Sequence, residues 1–321
     1  MSRHPLPTRR PPHALTAVPA VLLLCLLGSS PAAGNFKSFI HEATSSNTAG
    51  FVSVLDHPDL NGDSGRRFIV QPVYNPNGAL SGVVNANHIG LFYSTGTGKW
   101  SIQNQNALEP IPLGSKFFVL LPDDVDDGLV HVLDAGNTIG SITTIDHAPM
   151  NGSPAGRLVA TWVRNPGGGA GPELDAGVAV SYTLANGGRW EIRTADGSDL
   201  PLGGAFNVFG FVDPVRSTIT ASTISTGTIG AFGDDIDIGV AREDGFSTHY
   251  SHVFVTQAGT SPLSNAPLIA LYDYLQGKWS IQTADSSAFG EGALFSFYRI
   301  NALFVDDFES GNTNGWSSTV P

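Results

Sequence analysis

Apolar and polar residues alternate with a period of two along most of this chain. In Lys99–Gln103, Trp100 and Ile102 fall on one side while Ser101 and Gln103 fall on the other, the alternation of a strand with one buried face. FVSVL from Phe51 alternates less cleanly, with Phe51 and Leu55 around Ser53. RFIVQPVY from Arg67, HIGLFYS from His88 and KFFVLL from Lys116 are β-rich runs. Asn-Gly, Asn-Pro and glycine-rich punctuation separates them, so the chain reads as short strands joined by tight turns. Apart from an apolar run near the N-terminus, no stretch has the length and 3.6 periodicity of a helix. The predicted class is all-β.

The pattern also repeats on a longer scale. IHEATSSNTAGFVSVLDHPDLNG from Ile40 aligns without a gap on VHVLDAGNTIGSITTIDHAPMNG from Val130, which sets His41 on His131, Asp56-His57 on Asp146-His147 and Asn61-Gly62 on Asn151-Gly152. Arg67 then matches Arg157, and Asn75-Pro76 matches Asn165-Pro166. A third copy shows in GTIG from Gly227 and GKWSIQT from Gly277. The tryptophans Trp100, Trp190 and Trp279 therefore recur about every 90 residues. Such self-similarity marks repeated structural units.

Each unit has five or six short strands by this reading, enough to bury a small core. The expected arrangement is three small β-sandwich or barrel domains in tandem, at residues 35–122, 123–213 and a divergent 214–302, rather than one pseudo-threefold closed domain. PDDVDDG from Pro122 and Asp213-Pro214 supply the boundaries. A single large β-domain in which the units share strands stays open as the alternative.

HEAT, NTAG, LDHP, LNG, NPNG, HIGLFY, GKWSIQN and PLGSKFFV in the first unit, with NTIG, IDHAP, NPGG, GRWEI and PLGGAFNV in the second, resemble a bacterial extracellular repeat family of unknown function. The third unit departs most and has no Asp-His or Asn-Gly equivalent. The resemblance implies a secreted β-repeat and assigns no catalytic residue. DDFESGNTNGWSSTVP from Asp306 is similar to a short ending on secreted bacterial proteins, which makes residues 303–321 a candidate sorting tag.

The ends and the charge sharpen the compartment. Arg3, Arg9 and Arg10, an apolar run from Ala14 to Leu27 interrupted by Pro19, and GSSPAAG have the three-part form of a signal peptide over residues 1–34. The run is too short to span a bilayer. Its removal would take away three arginines and Cys25, the only cysteine, and leave 13 basic against 28 acidic residues. No disulfide could then form, so a packed core must supply stability. A net charge of −15 lacks the basic patch that nucleic acid requires. The localisation expected is secreted or outer cell surface, with no transmembrane segment after cleavage.

Candidate chemistry is sparse. A carboxylate beside a histidine suggests a general base, but neighbouring strand residues point to opposite faces, so Asp56 does not orient His57. The recurrence at Asp146-His147 suits a structural role, and no Gly-x-Ser-x-Gly elbow occurs. His41, His88, His131, His249 and His252 lack zinc-ligand spacing. The recurring Trp100, Trp190 and Trp279, with Tyr93, Tyr182 and Tyr272, read as core aromatics. Trp162 occurs only in the second unit, near the place of Val73, and is a candidate exposed binding aromatic, although an ordinary sheet residue is the plainer reading. Asp59, Asn61 and Asp63 have the alternate spacing of a calcium loop. Position six is Ser64, position twelve is Val70, and the second unit has Pro149, Asn151 and Ser153 instead. What repeats is the turn, and calcium is confined to the first unit. No cofactor is expected.

These readings converge on a secreted, non-enzymatic binding or adhesion protein for a glycan, matrix or surface-protein ligand. The alternative is a hydrolase with His41, Asp56 and His57, or their second-unit counterparts, between units.

Overall fold

A computed structural model describes residues 36–122, 128–211, 221–223, 236–237, 250–260, 262–274, 277–287, 289–290 and 293–300. The expected signal peptide, the boundaries at 123–127 and 213–214, the GTIG copy at Gly227, His249 and the tail at 303–321 lie outside the described residues. The first unit contributes β1 (Phe36–Glu42), β2 (Thr48–Ala49), β3 (Val52–Leu55), β4 (Ile69–Val73), β5 (Ile89–Ser94), β6 (Lys99–Asn104) and β7 (Lys116–Pro122). The second repeats them as β8 (Gly128–Val132), β9 (Thr138–Ile139), β10 (Ile142–Ile145), β11 (Arg157–Val163), β12 (Val178–Thr183), β13 (Arg189–Thr194) and β14 (Ala205–Phe211). The third has β15 (Ala221–Thr223), β16 (Ile236–Asp237), β17 (His252–Ala258), β18 (Leu268–Asp273), β19 (Lys278–Thr283) and β20 (Leu294–Ile300). The class is all-β, as the alternation predicts.

The glycine of each Gly-Lys/Arg-Trp motif closes a hairpin. Gly98, Gly188 and Gly277 have φ of 66°, 77° and 69°, where a side chain is strained, and each precedes the strand that carries the recurring tryptophan. β5–β6, β12–β13 and β18–β19 form in one register, pairing Tyr93 with Trp100, Tyr182 with Trp190 and Tyr272 with Trp279.

Where these hairpins continue decides the architecture. One sheet runs β2-β3-β6-β5-β11-β14-β8 and joins the first unit to the second. Another runs β9-β10-β13-β12-β17-β20-β15 and joins the second to the third. The last, β16-β19-β18-β4-β7-β1, brings the third back to the first. The parallel joints fall at equivalent places, Leu91 beside Val163, Val180 beside Ala258 and Ala270 beside Val73. The preference for self-contained tandem domains is therefore corrected. The units share strands in a closed cycle, and no sheet closes into a barrel.

The physical reason lies in strands buried on both faces. Within the first unit, β1, β4 and β7 pack as one layer on β3, β5 and β6, with Phe117, Val119 and Leu121 against Trp100 and Ile102. The alternate residues Phe118 and Leu120 point the other way, into the third unit's core with Phe254, Trp279 and Ile281. A detached first unit would expose them, at roughly 1.5 to 3 kcal/mol for each large apolar side chain. Each unit is thus a two-layer sandwich whose layers extend into its neighbours.

The cycle also closes through hydrogen bonds. Val70 N–H donates to Thr161 Oγ1 at 3.1 Å, Ala160 N–H to Thr256 Oγ1 at 3.0 Å, and Val255 N–H to Gln71 Oε1 at 3.0 Å. These three donors and three acceptors hold equivalent positions in β4, β11 and β17. Each of these three N–H groups finds its acceptor in another unit.

Candidate functional site

The recurring histidines serve the sandwich interior. His41 Nε2 lies 2.7 Å from Ser53 Oγ and His131 Nε2 lies 2.7 Å from Thr143 Oγ1, linking β1 to β3 and β8 to β10 in the same way. The first pair has the atoms of a nucleophile and a base. Ser53 is fully buried and becomes Thr143 in the second unit, so neither hydroxyl meets substrate. Burial lowers the His41 pKa to about 4 and lowers that of His131 as well, keeping both rings neutral near pH 7.

The Asp-His pairs build a corner. Asp56 Oδ1 accepts from Asn61 Nδ2 at 2.7 Å and Asp146 Oδ1 accepts from Asn151 Nδ2 at 2.8 Å, so the aspartate and Asn-Gly pin one turn in each unit. Lys99 pairs with Asp56, and Arg189 pairs with Asp146 at 3.3 Å, tying the corner to the basic residue before each tryptophan. His57 instead stacks on Phe39 at 4.3 Å. His41, Asp56 and His57 thus have separate partners and are not brought together as an acid-base set.

The calcium spacing dissolves in the same corner. Asp59 pairs with Lys37 at 3.0 Å, Asn61 binds Asp56, and Asp63 Oδ1 accepts from the N–H of Gly65 at 2.9 Å. No group of three or more His, Cys, Asp or Glu placed to hold a metal occurs among the described residues. The turn instead receives the tryptophan: Trp100 Nε1 donates to the Asp63 carbonyl at 2.8 Å, and Trp190 Nε1 to the Ser153 carbonyl at 3.1 Å. Trp100, Trp190 and Trp279 are buried, and each meets its cross-strand tyrosine edge to face at 5.3 to 5.6 Å.

Trp162 is buried too, so it is no exposed platform, and its register places it opposite Pro72 rather than Val73 in the repeat. Gly204 gives it room, since a Cβ there would lie 2.1 Å from the ring, and Gly90 does the same at 2.7 Å. The ring borders a cavity of about 100 Å³ where β4, β11 and β17 meet, and its Nε1 has no hydrogen-bond partner among the described residues. His88, at the same cavity, bonds to the Asn265 carbonyl at 2.8 Å, and burial lowers its pKa. The volume suits a few waters.

The Asn-Pro motif has a role that sequence reasoning missed. Tyr93 N–H donates to Asn165 Oδ1 at 2.8 Å, and Asn165 Nδ2 donates to the Tyr93 carbonyl at 2.8 Å, so a side-chain amide prolongs the joint between two units. Asn75 grips Tyr272 identically, at 2.7 Å for both bonds. At the remaining joint the equivalent residue is Thr260, which has no amide, although Gly259 N–H still bonds to the Val180 carbonyl at 2.8 Å. There a groove of about 390 Å³ opens, lined by Arg157, Tyr182, Trp190, Thr260 and Ser296. The signal was present in the sequence as the loss of Asn-Pro from the third unit.

The model of a family described as a domain of unknown function (DUF7452) matches residues 31–109 and 90–209, together more than half of the chain. The chain belongs to this family. No curated protein and no solved structure matches it. The DUF7452 matches cover the two units that retain the Asp-His corner and the Asn-Pro motif. The third unit, whose divergence leaves one joint unclasped, lies beyond them.

Proposed function

We propose that this protein is an extracellular, non-catalytic binding protein. The observation that carries this reading is the duplication of identical structural bonds. His41 with Ser53 and His131 with Thr143, and Asp56 with Asn61 and Asp146 with Asn151, occupy matching places in two separate units. Catalysis by these groups would need them to converge on one cleft, whereas each is satisfied within its own sandwich. The groove at the second joint is an opening where an aromatic side wall, an arginine and hydroxyls offer binding groups without a nucleophile and base. A net charge of −12 disfavours nucleic acid as the ligand. Secretion is supported by the basic, apolar and small-residue order of the N-terminal 34 residues.

The test is an array of glycans and matrix components probed with the purified chain, alongside chromogenic ester, glycoside and peptide substrates. Saturable binding with no turnover is the expected outcome. Turnover abolished by His41→Gln in a protein that remains folded would restore the hydrolase.

A further inference from the structure

We infer that the groove at the joint of the second and third units is a seat for a carboxylated saccharide. The sugar ring packs on Tyr182, and its carboxylate meets Arg157. The inference rests on the binding reading above and gives it a place and a ligand class.

Three independent features converge on this groove. The first is access. At the joint of the first and second units, the loop after Asn165 covers Tyr93: a Cβ on Gly168 would lie 2.6 Å from Thr95 and 3.7 Å from the Tyr93 ring, and Asn165 also bonds to the Gly169 carbonyl. Tyr93 is buried as a result, while Tyr182 is only partly covered. The two main-chain groups that asparagine grips on Tyr93 and Tyr272 face, on Tyr182, a threonine that has no amide to bind them. A peptide N–H and C=O are thus left for a hydroxyl-rich ligand.

The second feature is the aromatic pair. Tyr182 and Trp190 meet edge to face at 5.6 Å, which holds the tyrosine ring rigidly, and such a ring presents the flat apolar face that a pyranose needs. The third is charge. Arg157 Nη1 donates only to the carbonyls of Ala155 and Gly156, its buried Nε has no partner, and it has no carboxylate in ion-pair range among the described residues. In an acidic protein a partly buried guanidinium is usually paired; here Nε is enclosed by protein and Nη1 is taken, so the positive charge and Nη2 are what this arginine keeps for a carboxylate.

Calorimetric titration of the full chain with a tetrasaccharide of galacturonic acid, and with the same tetrasaccharide fully methyl-esterified, tests the seat. The acid form is expected to bind about tenfold more tightly, the margin of one charge-assisted hydrogen bond. Arg157→Gln should abolish that margin. Thr260→Asn, which restores the amide at an exposed position, should close the groove and weaken both ligands, with circular dichroism unchanged. Equal affinity for the two tetrasaccharides would overturn the carboxylate assignment while leaving a binding protein. Undiminished binding by Thr260→Asn would overturn the location, even if Arg157→Gln failed to fold. No binding of either tetrasaccharide by a chain that captures another array ligand refutes the saccharide class alone, whereas silence across the array refutes the binding reading itself.

Discussion

Asn165 grips the main chain of Tyr93 at both its hydrogen-bonding groups, in the manner of one more strand residue, and joins the second unit to the first. Both bonds are buried. Asn165→Ala leaves a buried N–H and C=O unpaired, and the expected loss is about 2 to 4 kcal/mol of unfolding free energy, read from urea midpoints. Asn75→Ala should match it, because Asn75 grips Tyr272 by the same pair of bonds. An effect confined to one of the two would show that the joints are not equivalent.

The shared strands make the three units one folding body. A chain ending after residue 211 loses the partners of Ile69, Val73, Phe118 and Leu120, all of which pack in the third unit's core. Such a chain is expected to bind a hydrophobic dye and to run as aggregates on size exclusion. A monomeric, cooperatively melting two-unit chain would argue that the cyclic closure contributes little.

Buried neutral histidines give the stability a pH dependence of known sign. Burial holds the pKa of His41 and of His252 at about 4, below the ordinary 6.5, and His252 Nδ1 lies 2.6 Å from Ser38 Oγ across the third–first joint. Between those values the unfolded chain binds more protons than the folded one. Stability is therefore full above pH 6.5 and is lost as pH falls toward 4, by on the order of 3 kcal/mol for each ring. Urea midpoints taken from pH 7.5 to 4 should decline through this window, and His41→Gln should flatten part of the decline. A pH-independent midpoint would mean that the rings titrate normally.

Trp162 and Gly204 are coupled by space. The second unit has glycine where the first has Ser115, and a Cβ there would lie 2.1 Å from the indole. Gly204→Ser should destabilise by about 1 to 3 kcal/mol through overpacking, and most of the loss should vanish in a Trp162→Val background. Trp162→Phe removes an indole N–H that has no acceptor among the described residues and should leave stability nearly unchanged. Additive losses in the Gly204 cycle would show that the contact relaxes freely.

Sequence by itself determined the strands, the turns and the number of units. Period-two alternation around Trp100, glycine at the left-handed position before it and the 90-residue recurrence all act within a few residues of chain, and a comparison of units exposes them. It also favoured a positional role for Asp56-His57, because the pair recurs beside the same Asn-Gly as Asp146-His147. Tertiary structure alone decided where each sheet continues. Phe118 and Leu120 read as apolar in any arrangement, and whether their partners lie in the same unit or in the third depends on contacts more than 100 residues away in sequence. Trp162 was ambiguous for the same reason, since strand preference fixes which face a side chain takes and leaves open what covers that face. The groove beside Tyr182 exists because the second and third units share a sheet. A missing asparagine in the third unit matters once the pairing of β17 with β12 has placed Thr260 against a tyrosine of the second.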